Sequence, residues 1–260
     1  MGGERQVQVY RFEDGAGTEA CDYVAVEEAV SLFVDGRELV TLLYTPPMAL
    51  ELTLGYMHSE GLISSRDDVS SFAMRKGAVM VELAHGLPRQ DTPAVRTLTS
   101  GCGGGITFSY PQGLRGMKKV RSAMKVPGGK ILELASAFRK KSELFERTGG
   151  VHSAAVSDGE GFIAFADDIG RHNAVDKVFG RCLLDGVETE GCIIFTTGRI
   201  SSEMLVKCAK RGVPIVVSRG APTSLAVSLA RKLGVTVAGF VRGRRMNVYT
   251  HPERISLQEG

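Results

Sequence analysis

The chain has no apolar run near the ~20 residues of a membrane-spanning helix, so no segment reads as transmembrane. Its opening, "MGGERQVQVYRFEDG", lacks the basic end and apolar stretch of a secretory signal. Gly2 stands where a myristoylation signal would put it, but residue 6 is Gln rather than Ser or Thr, and that match fails. The expected location is the cytoplasm. No internal repeat and no low-complexity tract is present, which leaves an ordinary globular chain. Cysteines are few and unpaired in pattern: five, at 21, 102, 182, 192 and 208, with no Cys-x-x-Cys among them. Such a set indicates neither a disulfide framework nor a zinc cage. Cys182, Cys192 and Cys208 sit among apolar neighbours and read as small core residues. Cys21, in an acidic stretch, shows no sign of a role.

What is there fits a folded protein of one large domain or two modest ones. The 260 residues are 43% hydrophobic and 23% charged, close to soluble averages. A net charge of +3 hides an asymmetry: residues 1–70 carry four Lys/Arg against thirteen Asp/Glu, and residues 71–150 carry fourteen against five. The basic part includes "RGMKKVRSAMK" (Arg115, Lys118, Lys119, Arg121, Lys125). This is either a solvated surface segment or a field that attracts a polyanionic ligand or acidic partner. Nucleic acid is not expected, because aromatic residues are scarce there and no binding motif accompanies the charge.

Patterning divides the chain into three parts. Residues 1–110 mix strands with one helix. "VSLFVDGRELVTLLY" reads as a hairpin about Asp35-Gly36, "FAMRKGAVMVELA" as another about Lys76-Gly77, and "PPMALELTLGYMHSEGLI" as a helix closed near Gly61. Residues 111–129 form a basic connector rich in Pro and Gly. From residue 130 to 260 helices and strands alternate, which predicts an α/β sheet covered by helices on both faces. "KILELASAFRKKSELFER" is expected to be a single amphipathic helix with Ile131, Leu132, Leu134, Ala135 and Phe138 inward. "RHNAVDKVFGRCLL" is a second, with Ala174, Val175, Val178, Phe179, Cys182 and Leu183 on one face.

Ligands of open α/β sheets bind beyond the carboxyl ends of the strands. Each expected strand of this half delivers a glycine with an arginine or hydroxyl there. "FIAFA" leads to "DDIGRHNAVDK", "CIIFT" to "TGRISSEM", "IVVS" to "RGAPTS" and "VAGF" to "VRGRRMNVYTH". Helix N-termini with arginines are how proteins hold phosphate, so an anionic small-molecule site is expected at this edge. Arg242, Arg244 and Arg245 make the last segment the strongest phosphate candidate. Taken singly, Asp168 and Ser201 are equally well read as helix caps and His172 as a structural hydrogen-bonder. Cys102, inside "TLTSGCGGGITF", has glycines in place of packing partners, and a basic run follows it. Such surroundings favour the thiolate, making it a candidate nucleophile or sulfur carrier.

The segments "LTLGYMHSEGLI", "TSGCGGG", "TGGVHSAAV", "DIGRHNAVDKVFG", "TTGRISSEMLVKCAKRGVPIVVSRGAPTSLAV" and "VAGFVRGRRMNVYTHPERI" closely resemble the FdhD/NarQ family of formate dehydrogenase accessory proteins. The resemblance implies a cytidine-deaminase-like three-layer α/β domain beside a smaller α+β N-terminal domain, in a homodimer. It implies a sulfurtransferase that takes persulfide sulfur from a cysteine desulfurase. The sulfur passes to molybdenum cofactor as bis-molybdopterin guanine dinucleotide, bound as substrate, before insertion into formate dehydrogenase; a guanine nucleotide is expected to mimic that ligand. By position, Cys102 would hold the persulfide, and Phe240, Val241, Arg242, Gly243, Arg244 and Arg245 match the cofactor-binding stretch. Thr197, Gly198, Arg199 and Ser201 are further contacts on weaker grounds. The family loop is commonly Cys-Gly-x-Cys-Gly, whereas Gly105 stands here at the second cysteine. One thiolate suffices to carry a persulfide, but a non-catalytic chaperone that delivers cofactor without moving sulfur stays open. A zinc deaminase is excluded, because "VHSAAV" has Ala154 in the glutamate position and the cysteine pair is missing.

Overall fold

The computed structural model describes residues 2–87, 96–98 (backbone alone) and 117–257. Cys102 and Gly105 lie outside the described residues. The chain opens with an antiparallel ribbon of β1 (Glu4–Glu13) and β2 (Ala16–Ala25). β3 (Glu28–Val34), β4 (Arg37–Tyr44), helix α1 (Ala49–Glu60), β5 (Val69–Arg75), β6 (Ala78–Leu83) and β7 (Arg96–Leu98) follow. These strands form one sheet in the order β5-β6-β3-β4-β7. Both expected hairpins are present. Asp35 and Gly36 take the left-handed φ values of 48° and 76° that a two-residue turn between twisted strands requires.

The second half runs β8 (Val126–Pro127), α2 (Gly128–Lys140), α3 (Glu143–Thr148), β9 (His152–Ser157), β10 (Phe162–Asp168) and α4 (Arg171–Leu184). It continues with β11 (Ile193–Thr196), α5 (Ser202–Lys210), β12 (Ile215–Ser218), α6 (Ser224–Leu233), β13 (Thr236–Arg242), β14 (Arg245–Thr250) and β15 (Ile255–Ser256). Six of these strands make a mixed sheet, β10-β9-β11-β12-β13-β14, in which β11, β12 and β13 are parallel. β11 and β12 are buried along their whole length, as covered parallel strands must be. On one face Ala154, Val156, Ile194, Val216 and Val237 pack against α4, α5 and α6. On the other, Ala155, Ile193, Phe195, Ile215 and Val217 meet Ile131, Leu134 and Phe138 of α2. The three-layer α/β arrangement expected from the sequence is therefore the one observed.

One expected helix is two. Residues 130–147 break at Lys141, because the Ser142 hydroxyl accepts the Phe145 N–H at 3.0 Å and starts α3 anew. Cys182, Cys192 and Cys208 are buried as expected. Burial pushes the Cys182 and Cys208 thiols up to about 12 and raises that of Cys192, so none is a nucleophile at neutral pH. Cys21 is exposed on β2.

The two halves meet where α1 crosses α4. Gly55 lies against the Asp176 carbonyl and Gly180 against the Glu51 carbonyl, each with no room for a Cβ. The backbones touch at this crossing. Ser59 donates to Asp176 Oδ1 at 2.7 Å and Arg181 pairs with Glu51 at 2.9 Å, one on each side of the contact.

Candidate functional site

The longest motif of the second half, Asp167 to Lys177, serves mostly to hold the molecule together. Asp168 is fully buried and Lys177 is 1% exposed. Lys177 Nζ donates to Asp168 Oδ2 at 2.7 Å, to the Thr45 carbonyl at 2.5 Å and to the Asp167 carbonyl at 2.8 Å. Burial pulls this amine downward, yet three acceptors for three N–H bonds keep it an ammonium. Asp168 is equally saturated: it accepts from the backbone of Thr45 and Gly170 and from Asn173 Nδ2. Asn173 also donates to the Leu43 carbonyl at 2.8 Å. Asp168 is thus not a helix cap; Gly170 occupies that place in α4. The group clamps the end of β4 to the start of α4.

A cleft of about 420 Å³ opens at the carboxyl edge of the six-stranded sheet. His152, Ser153, Thr197, Arg219, Gly220 and Arg242 line it from the strands, and Arg139, Ser142 and Phe145 from α2 and α3. A second cleft of about 200 Å³, walled by Leu132, Ala135, Val241 and Gly243, shares Arg139, Arg219 and Arg242 with the first. Three guanidinium groups therefore mark the junction of two hollows, an arrangement suited to phosphate oxygens. β9 runs antiparallel to β11, so its amino end brings His152 to the same edge. The Thr197 hydroxyl bonds His152 Nδ1 at 3.1 Å and accepts the Ser153 N–H at 3.0 Å. Burial and the Arg171 charge lower the His152 pKa, leaving its ring neutral.

Of the residues expected at the site, Thr197, Val241, Arg242 and Gly243 line these clefts. Gly198 is buried against the Arg171 side chain, and Ser201 caps α5 by accepting from Met204 N–H at 3.3 Å. Phe240 adopts φ 52° at a bulge in β13, its N–H bonded to the Gly220 carbonyl. Arg199, Arg244 and Arg245 are exposed outside the lining, the last two at the β13–β14 turn. Arg139, His152, Ser142 and Phe145 are lining residues that periodicity did not single out. The signal available was the Gly149-Gly150 pair just before β9, which places that strand's start at the working edge. Among its described residues, 117–129, the basic connector does not line this cleft. Val120 anchors it through an N–H bond to the Leu233 carbonyl, and Lys119 lies against Gly234, at the opposite end of β13.

Two other histidines predict the response to acid. Burial, with Arg211 nearby, lowers His58 to about 4, and burial with Lys207 and Arg171 lowers His172 to about 3. Both are neutral in the fold, and His172 stays 3.6 Å from Glu203 without an ion pair. Unfolded histidine takes a proton below pH ~6.5, so stability is lost as pH falls from there toward 4, by about 1 kcal/mol per pH unit for each group. Urea unfolding at successive pH values checks this, and His172→Gln should flatten the slope.

The described residues form an α/β protein whose two larger sheets are joined by a crossed helix pair, with a cationic cleft at the edge of one of them. The chain belongs to the FdhD/NarQ family, whose pattern matches residues 25–256. It is 41% identical over 251 residues, 95% of each chain, to the sulfur carrier protein FdhD of Bacillus subtilis (strain 168). It is 36% identical over 257 residues, 96% of each chain, to the protein of that name from Shouchella clausii. A solved structure from Desulfotalea psychrophila, described as that of a formate dehydrogenase accessory protein, superposes with a TM-score of 0.84. Identity there is 25%, over 98% of this chain and 100% of that one. No helix among the described residues is long and apolar enough to cross a membrane.

Proposed function

We propose that this protein is a sulfur carrier for formate dehydrogenase maturation. It takes persulfide sulfur from a cysteine desulfurase onto Cys102 and passes it to molybdenum cofactor held as the bis-guanine dinucleotide. The observation that carries this reading is the cleft with Arg139, Arg219 and Arg242 at its rim, a match for a ligand with several phosphates. Relatives sharing 36–41% of their residues and named sulfur carrier proteins support the role of the thiol. Among the described cysteines, Cys182, Cys192 and Cys208 are buried in the core and Cys21 lies on the β1–β2 ribbon, which leaves Cys102 as the candidate carrier. Its attack on a donor persulfide forms a new S–S bond and releases the donor's thiolate, a step that needs a single cysteine.

The competing reading is a chaperone that delivers cofactor without moving sulfur, favoured by Gly105 at the usual second cysteine. Cys102→Ser separates the two. In cells lacking the native gene it should leave formate dehydrogenase inactive while guanine nucleotide binding persists in the purified protein. Full activation by the variant establishes the chaperone instead. Arg219→Ala with Arg242→Ala should weaken binding of guanosine diphosphate at least about 10-fold, given 1.5–3 kcal/mol per charged hydrogen bond, and flatten its dependence on salt. An unchanged titration removes the cleft from the site.

A further inference from the structure

A separate hollow of about 510 Å³ lies at the amino end of β13, a strand's length of roughly 20 Å from the cationic cleft. Lys119, Arg121, Ser122 and Ala123 of the connector wall it on one side, and His251, Glu253 and Arg254 on the other. Gly234 touches both walls: the Lys119 stem lies against it, and Arg254 Nη1 donates to its carbonyl at 2.7 Å. The connector is pinned at two points, by the Val120 N–H on the Leu233 carbonyl and by the pairing of β8 with β15. Between them, exposed and covered side chains alternate as they do along an extended chain. Val120, Met124 and Val126 pack inward, which leaves Lys119, Arg121 and Lys125 exposed.

Nothing in the chain answers this charge. Arg231 and Lys232, in the last turn of α6, are exposed beside the hollow, where His251 Nε2 bonds the Arg231 carbonyl. Among the described residues, none of Lys119, Arg121, Lys125, Arg231, Lys232 and Arg254 is in an ion pair. Lys130, a few residues on, is paired twice, with Glu133 at 3.4 Å and Glu160 at 3.5 Å. Glu253, the one carboxylate among the described lining residues, bonds His251 Nδ1 instead, at 3.1 Å. Unbalanced charge of one sign repels itself until a partner of opposite sign covers it.

Three features select a carboxylate-rich chain over a phosphate ligand. The carboxyl end of α6 abuts the hollow, and its partial negative charge disfavours a compact polyanion. No aromatic ring is among the described lining residues to stack a base. Lys119 and Arg121 stand at alternate positions, ~7 Å apart, which is the repeat of side chains on one face of an extended peptide. We propose that this hollow is a docking surface for an acidic, extended segment of a partner protein, whose alternate carboxylates meet Lys119 and Arg121 and continue toward Lys125. Binding here requires neither a nucleotide nor Cys102, and it leaves the cationic cleft open.

The test is fluorescence anisotropy of the full chain with a fluorescein-labelled peptide alternating Glu with Ser, beside the same peptide carrying Gln for Glu. The Glu peptide should bind, more weakly as salt is raised, and the Gln peptide should not. Lys119→Glu with Arg121→Glu should weaken binding at least about 10-fold, since each reversal turns an attraction into a repulsion. Arg121→Gln, which leaves the Lys119 stem against Gly234, should weaken it about 3-fold with the urea midpoint unchanged. Arg75→Glu with Lys76→Glu, exposed at the β5–β6 turn of the other sheet, should change nothing. A Glu peptide that binds no better than the Gln peptide overturns the proposal, as does wild-type affinity in Arg121→Gln or an equal loss in the β5–β6 pair. Displacement of the peptide by a lower concentration of oligothymidylate overturns it in favour of nucleic acid. A dimer that the double reversal converts to monomer in sedimentation velocity overturns it in favour of a second copy.

Discussion

Gly180→Ala is expected to destabilise the protein by at least about 3 kcal/mol, the upper range for overpacking, because the added methyl strikes backbone rather than a movable side chain. A Cβ at residue 180 would lie 1.8 Å from the Glu51 carbonyl oxygen, and one at residue 55 would lie 1.8 Å from that of Asp176. Neither oxygen can rotate away, so α1 and α4 must separate. Separation also pulls at the Ser59–Asp176 and Arg181–Glu51 contacts on either side. Alanine favours helix over glycine by roughly 1 kcal/mol, which works in the opposite direction and is outweighed. Gly55→Ala should cost a similar amount. The two together should cost less than the sum, since one separation accommodates both methyls. Denaturant unfolding of the three variants checks size and coupling, and a loss below 1 kcal/mol would mean the helices part easily.

Lys177→Met should be nearly as damaging for a different reason. Removing one member of a buried pair leaves the other charge uncompensated, at about 3–5 kcal/mol. Here the loss strands Asp168 and also the Thr45 and Asp167 carbonyls, all three acceptors of the ammonium. Asp168→Asn with Lys177→Met removes both charges and should recover part of that loss, because no carboxylate is then left unpaired. A double variant no better than Lys177→Met alone would show that the carbonyls, not the charge, dominate. Urea unfolding supplies the comparison.

These two predictions concern residues whose purpose was hidden in the sequence. "DIGRHNAVDK" lies after a strand, where ligand residues are expected, and its Asp, Asn and Lys invite that reading. Their partners, Leu43 and Thr45, are more than 120 residues away along the chain, so no local pattern could reveal the clamp. Gly55 and Gly180 look like ordinary helix-weakening residues until the helices they sit on are seen to cross. The alternating second half was legible because its parallel strands are short apolar runs and its helices carry clear apolar faces. Thr197 and Arg242 were legible through the rule that ligands sit beyond strand ends. Arg139 and His152 were not, since their arrival depends on how α2 lies over the sheet and on the reversed direction of β9. The break at Ser142 shows the same limit at short range: continuous amphipathic spacing lost to a single capping hydroxyl.

The proposed chemistry rests on sulfur standing on one thiol. Its most direct measurement is intact-protein and peptide mass spectrometry after incubation with a cysteine desulfurase and cysteine. Wild-type protein should gain a sulfur atom, removable by a reductant and confined to the peptide carrying Cys102, while Cys102→Ser gains none. Wild-type protein that acquires no sulfur under these conditions, or acquires it on Cys21, would contradict the assignment of Cys102 as the carrier.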